Sequence, residues 1–235
     1  MVTSALVEVN SKHDNNFSLK FSAIDGTFHE IFTEEGIKTF IVVGEVQGEL
    51  NGNTITITGI NLARQISENK GEDVMRIAEY EQARKSHADV VLMDRKVSFD
   101  MTFKVIPPER FIAVVKDFDP IKRRSLQEDV KAPWIKVENN TDKLTSGFFR
   151  LFPNSWVFMF ETNVYSEDIL DILISLGRVP IPESLGYNYP LFLADKLVKY
   201  YRDKEYKGIE LELSPSRYRD FRGEVEHLRR VRRFF

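Results

Sequence analysis

The first 64 residues constrain the fold more than any other part of the chain. FSLKFSAID (17–25) alternates apolar and polar residues and stops at Asp-Gly, the pattern of a half-buried strand entering a turn. KTFIVVGEVQGE (38–49) reads as a second strand, NGN (51–53) as a turn, and TITITGINLAR as a third strand, so residues 38–64 form a hairpin. Helical spacing follows from Asp73 to His87, with Asp73 as a candidate N-cap. ADVVLMD (88–94) is a buried strand ending on an acid, and FIAVVKDFD (111–119) is another. Residues 120–146 are charged, contain Pro120 and Pro133 and show no period, so a long loop or excursion is expected. SWVFMFETN (155–163) is a strand, SEDILDILISLGR (166–178) a helix capped by Ser166, and LFLADKLVKYYRDKEY (191–206) a further helix. GIELELSP either adds a strand or simply connects.

Strands with an early antiparallel hairpin, then strands and helices mixed, make an α/β chain with a mixed sheet flanked by helices. Three leading strands, a helix and a return strand resemble the ribonuclease H order, expected here as one domain over residues 1–235. A chain of 235 residues, 42% hydrophobic, suffices for such a core. It has no cysteine, which excludes disulfides, thiolate metal sites and cysteine nucleophiles. No run approaches the roughly 18 apolar residues that suggest a membrane span, and no signal peptide is visible, so a cytoplasmic protein is expected. Net charge is −3, yet Arg217 to Phe235 holds seven arginines against three acids. Residues 207–235 are therefore a basic helix or tail suited to an anionic or protein partner.

Acids at element ends carry the chemistry. Asp25 ends the first strand, Asp94 ends ADVVLMD, Glu79 and Glu81 lie on the intervening helix, and Asp195 lies on a late one. Such a set suits two-metal phosphodiester hydrolysis, in which hard divalent cations take oxygen ligands from rigid elements. Each acid alone has a plainer reading: a turn, a strand end, or a solvated helix face. Glu81 is favoured over Glu79 because it sits four residues after Ile77. Trp134 and Trp156 are candidates for base stacking, although Trp156, within an apolar strand, is rather expected in the core. His13, His29, His87 and His227 have no metal-ligand spacing. Arg217, Arg219 and Arg222 mix with aromatic residues in a pattern that suits either a nucleic-acid strand or an amphipathic partner helix, with Val225, Leu228, Val231 and Phe235 at helical spacing and Phe234-Phe235 favouring a protein interface.

Four pieces together, SAIDGTFHEIF, ADVVLMDRKV, FIAVVKDFD and GYNYPLFLADKLVKYY, resemble the NurA family of archaeal and bacterial DNA-end-processing nucleases. They run in the family's order over about residues 17–205. The resemblance implies a ribonuclease H-like fold, a nuclease dependent on Mn2+ or Mg2+, a homodimer, DNA as substrate and a HerA-type hexameric ATPase as partner in end resection. It assigns Asp25 and Asp94 to metal-binding acids, Lys116 to the neighbourhood of the scissile phosphate and Tyr187 to the family tyrosine. Asp195 falls where the family commonly has histidine. The second motif departs from the family: Asp94 is followed by Arg95, Lys96 and Val97 instead of Gly-Ser-Leu. Arg95 and Lys96 therefore either contact phosphate or mark a decayed motif, and a non-catalytic member that binds DNA or an ATPase is the alternative.

Overall fold

The computed structural model describes residues 5–8, 18–33, 35–69, 71–129, 131–141, 143–165, 169–213, 219, 222–223 and 225–227. The strands are β1 (Ala5–Glu8), β2 (Ser18–Thr33), β3 (Gly36–Asn51), β4 (Thr54–Ser67), β5 (Val90–Met93), β6 (Phe111–Val115), β7 (Trp134–Asn140), β8 (Thr145–Arg150) and β9 (Phe158–Thr162). They form one nine-stranded sheet in the order β1-β7-β8-β9-β6-β5-β2-β3-β4. The helices are α1 (Gly71–Lys85), α2 (Val97–Asp100), α3 (Pro120–Asp129), α4 (Ile169–Gly177) and α5 (Tyr189–Leu213).

The expected hairpin is present and longer than its sequence pattern. β2 pairs antiparallel with β3 from Ser18↔Asn51 to Thr33↔Gly36, and β3 pairs antiparallel with β4. The Asp25-Gly26 step, read as a turn, lies instead inside β2. Gly26 continues the ladder opposite Val43, because the partner strand supplies backbone hydrogen bonds past the point where the alternation fades. β2, β5 and β6 run parallel, and β9 returns antiparallel against β6.

Side-chain alternation divides the core between the two faces of the sheet. Phe21, Ala23, Leu92, Ile112 and Val114 face α4 and α5, meeting Leu173, Leu191 and Ala194. Ile24, Val43, Met93 and Ala113 face α1, meeting Tyr80 and Ala83. By the same alternation Asp25 and Asp94 share the α5 face at the level of Val114, and Lys116 follows one step further, just past the end of β6.

Several sequence expectations are corrected. Residues 120–146 are not a loop: they hold α3, β7 and the turn into β8. Their apolar positions Leu126 and Trp134 form a separate small core with Phe148 and Val157 farther along the chain, so no local period announces it. GIELEL neither adds a strand nor connects; it extends α5 to Leu213, with Ile209 and Leu213 packed near Ile31, Phe40 and Val42 of the hairpin. Asp73 is not a cap but a first-turn residue paired with Arg76 at 3.1 Å. Trp134 is 1% exposed and Trp156 61% exposed, the reverse of the expectation. Trp156 precedes β9 and so escapes the alternation that buries Phe158 and Phe160.

Candidate functional site

The site is built where β5 and β6 end beside the middle of β2 and against α5. Asp25 keeps some contact with solvent, yet its carboxyl is pushed well above the usual range, first by burial and then by Glu79, Asp94 and Asp195. The Gly26 N–H donates to its Oδ1 at 2.9 Å and opposes that rise. Among the described residues Asp25 has no ion-pair partner, so three neighbouring carboxylates raise its pKa without a cation paired to it.

The other acids each have a cation. Lys116 Nζ lies 2.7 Å from Asp94 Oδ2 and 4.3 Å from the centre of the Tyr187 ring. Burial works against the Lys116 charge, but Asp94, with Asp195 and Asp25 behind it, holds its pKa above the usual value. Lys199, one turn on, pairs with Asp195 at 2.6 Å. Tyr187 is buried, and burial together with Asp94 and Asp25 keeps its hydroxyl protonated well above the usual phenol range. That hydroxyl lies close to Asp94 without a hydrogen bond of good geometry.

α5 is aimed by its own N-terminus. Gly186 takes a left-handed φ of 77° and packs where a Cβ would lie 2.2 Å from Ser155 Cβ, so only glycine fits. Asn188 Oδ1 then accepts from the Leu191 N–H at 3.0 Å, capping the helix that carries Asp195. Gly44, across from Asp25, leaves room for Val198, whose Cγ1 would lie 2.6 Å from any added Cβ.

The helix acid is corrected. Glu81 is exposed; Glu79 is 3% exposed and approaches the backbone after Asp25, its Oε1 only 2.4 Å from where a Gly26 Cβ would stand. The buried stripe of α1 runs Arg76, Glu79, Tyr80, Ala83, which puts Ile77 outward and defeats the argument from its spacing. Charged residues sit on that stripe because they are paired. Arg76 Nε lies 3.0 Å from Asp100, the Tyr80 hydroxyl donates to Asp100 at 3.1 Å, and Arg95 Nε binds Glu79 while its Nη1 donates to Glu72 at 3.1 Å. Burial pushes the Glu79 carboxyl up to about 7, against the lowering effect of Arg95.

Arg95, expected to reach phosphate, is therefore engaged by carboxylates, whereas Lys96 is exposed. Arg219 and Arg222 are exposed, and Arg222 faces Glu226 at 3.8 Å. Arg217, His13, Ser166, Leu228, Val231, Phe234 and Phe235 lie outside the described residues. The Lys199–Asp195 pair was legible as an i, i+4 spacing; the Arg95–Glu79 pair has no local signal.

Asp25, Asp94 and Asp195 offer hard oxygen donors suited to Mg2+ or Mn2+. As the side chains stand, no three acidic or histidine groups among the described residues surround a single point at ligand distance. The crowding of Asp25 by other carboxyl groups, with no cation paired to it among the described residues, is nevertheless what a divalent cation would relieve, so the donor set fits such an ion once Lys116 and Lys199 give way.

This sheet order, with Asp25 inside β2 and Asp94 just past the end of β5 facing a late helix, defines a ribonuclease H-like fold. The computed structure is similar to the crystal structure of the NurA nuclease from Sulfolobus solfataricus (TM-score 0.55, 15% identity, covering 90% of this chain and 87% of that one). It is also similar to endonuclease V from Bacillus subtilis (0.51, 13%, covering 80% and 83%) and to the catalytic domain of human endonuclease V (0.50, 10%, covering 80% and 84%). Comparison by sequence with curated proteins gives no match. Residues 103–200 match the NurA domain family. The matched segment contains Lys116, Tyr187 and Asp195; Asp25, Glu79 and Asp94 precede it.

Proposed function

We propose that the protein is a divalent-metal-dependent nuclease that hydrolyses DNA phosphodiester bonds. The observation that carries this reading is the meeting of Asp25, Asp94 and Asp195 around Lys116, from three separate elements. Asp25, Asp94 and Asp195 would hold Mn2+ or Mg2+, which when bound supplies Lewis-acid activation of the phosphodiester and of water. Lys116 would leave Asp94 for the scissile phosphate and neutralise the charge that develops there. The Tyr187 ring keeps the ammonium in place, and its hydroxyl, held protonated and unpartnered, would be free to donate a hydrogen bond to a bound phosphate or water. Glu79, tied to Arg95, orients the Asp25–Gly26 backbone rather than binding the ion directly. Action at DNA ends with a HerA-type ATPase, as a homodimer, is the context that the match of residues 103–200 to the NurA domain family suggests, with the 207–235 segment as the partner contact.

A second reading, a DNA- or ATPase-binding member with weak catalysis, is favoured by one observation. Arg95 occupies the helix acid, and the Asp94 motif lacks the family's small residues. Cleavage of end-labelled single- and double-stranded DNA with Mn2+, beside Asp25→Asn, separates the two. Metal-dependent digestion lost in the variant supports the nuclease. A folded wild type that binds DNA and leaves it intact overturns it in favour of the second reading.

A further inference from the structure

A cavity of about 670 Å³ opens directly beside the carboxylate site and shares Lys116 and Tyr187 with it. Its remaining walls are mainly apolar and flat: Trp156, Phe158, Leu185, Pro180 and Pro182. Trp156 stands at its mouth with most of its indole in solvent, in a chain whose other tryptophan is fully buried. This exposed indole is held in place. The Arg123 guanidinium lies 5.2 Å from the Trp156 ring and 4.5 Å from that of Phe118, and it donates to the Lys116 carbonyl. One arginine thus fixes the indole relative to the lysine proposed to meet the phosphate.

The charges around the cleft decide which part of a nucleotide enters. Asp117 and Glu183 are exposed at the rim and repel phosphate, while Lys116 is the cation at the end shared with the carboxylates. A nucleotide can satisfy both only with its phosphate at Lys116 and its base between the apolar walls. We propose that this cleft is a base-binding site that takes an unstacked nucleobase of a single strand or frayed end, with Trp156 as its stacking surface. A base inside a duplex cannot reach it, because its faces are covered by neighbouring bases. The proposal rests on nucleic acid being the ligand of the adjacent carboxylate site.

The test uses the full chain carrying Asp25→Asn, titrated with single-stranded oligothymidylate and with the same oligonucleotide as a duplex. Trp156 is a built-in probe, since Trp134 is 1% exposed. The expected result is saturable quenching by the single strand and much weaker quenching by the duplex. Measured by anisotropy of a labelled strand, Trp156→Ala is expected to weaken single-strand binding about tenfold, while Trp156→Phe keeps most of it, as stacking requires. Unchanged fluorescence, or equal binding by Trp156→Ala, overturns the base site and leaves the cleft to a protein side chain. Quenching without cleavage by the wild type sinks the nuclease reading alone; cleavage without quenching sinks the base site alone.

Discussion

Glu79 reaches the neighbourhood of Asp25 only because residue 26 has no side chain. An added methyl would fall 2.4 Å from its Oε1 and 2.9 Å from Met75 Cγ. Gly26→Ala is expected to destabilise by about 1–3 kcal/mol, the usual range for overpacking, and to abolish cleavage. Urea unfolding and the DNA assay read the two effects separately. Glu45 presents a different residue-level case. Burial alone would raise its pKa, but four donors, from Ser22, Gln47, Asn61 and Gln82, outweigh burial and hold it below its ordinary value of 4.5. A carboxylate lowered in the folded state contributes stability that is complete above its unfolded pKa and is lost as pH falls through the folded one. The urea midpoint of the wild type should therefore drop as pH falls below about 4.5. Glu45→Gln should lose stability at neutral pH, because an amide group confronts four donors, and should show a smaller drop on acidification. Equal pH dependence in the two proteins would remove Glu45 from the account.

At the scale of elements, the hairpin, α1, β5, β6 and the start of α5 were legible because each has a local period or turn signal. The α3–β7–β8 segment was not, because its apolar residues are spaced by what they meet across the sheet and not by a helix or strand repeat. Of the site, Asp25, Asp94, Lys116, Tyr187 and Asp195 could be singled out from strand ends and family motifs. The choice of helix acid could not. The orientation of α1 is fixed by Arg76–Asp100 and Arg95–Glu79, pairs whose members lie 24 and 16 residues apart and give no sequence period. α5 ties the two halves of the site together, and its direction depends on Asn188. Asn188→Ala should cost about 1 kcal/mol through loss of the cap. It should also reduce cleavage by letting Asp195 and Tyr187 drift from Asp94. Asn188→Ser, which can still cap, should recover most of both, as thermal unfolding and the DNA assay would show.

For the molecule as a whole, a cation bound as proposed by Asp25, Asp94 and Asp195 would bind only the folded chain and so would stabilise it. At about one hundred times its Kd the gain is roughly 2.7 kcal/mol. Differential scanning fluorimetry should show Tm rising with Mn2+ in the wild type and unmoved in Asp25→Asn. An identical shift in the variant would place the ion elsewhere. Among the described residues no helix is long and apolar enough to cross a membrane. The pairing of Glu79, Asp94 and Asp195 with arginine and lysine from the same chain has a practical corollary. Three of the four clustered carboxylates carry their own counter-ions, so the fold stands without any borrowed charge. A chelator should then silence the protein without unfolding it, and returning the metal should restore it at once, with no refolding lag.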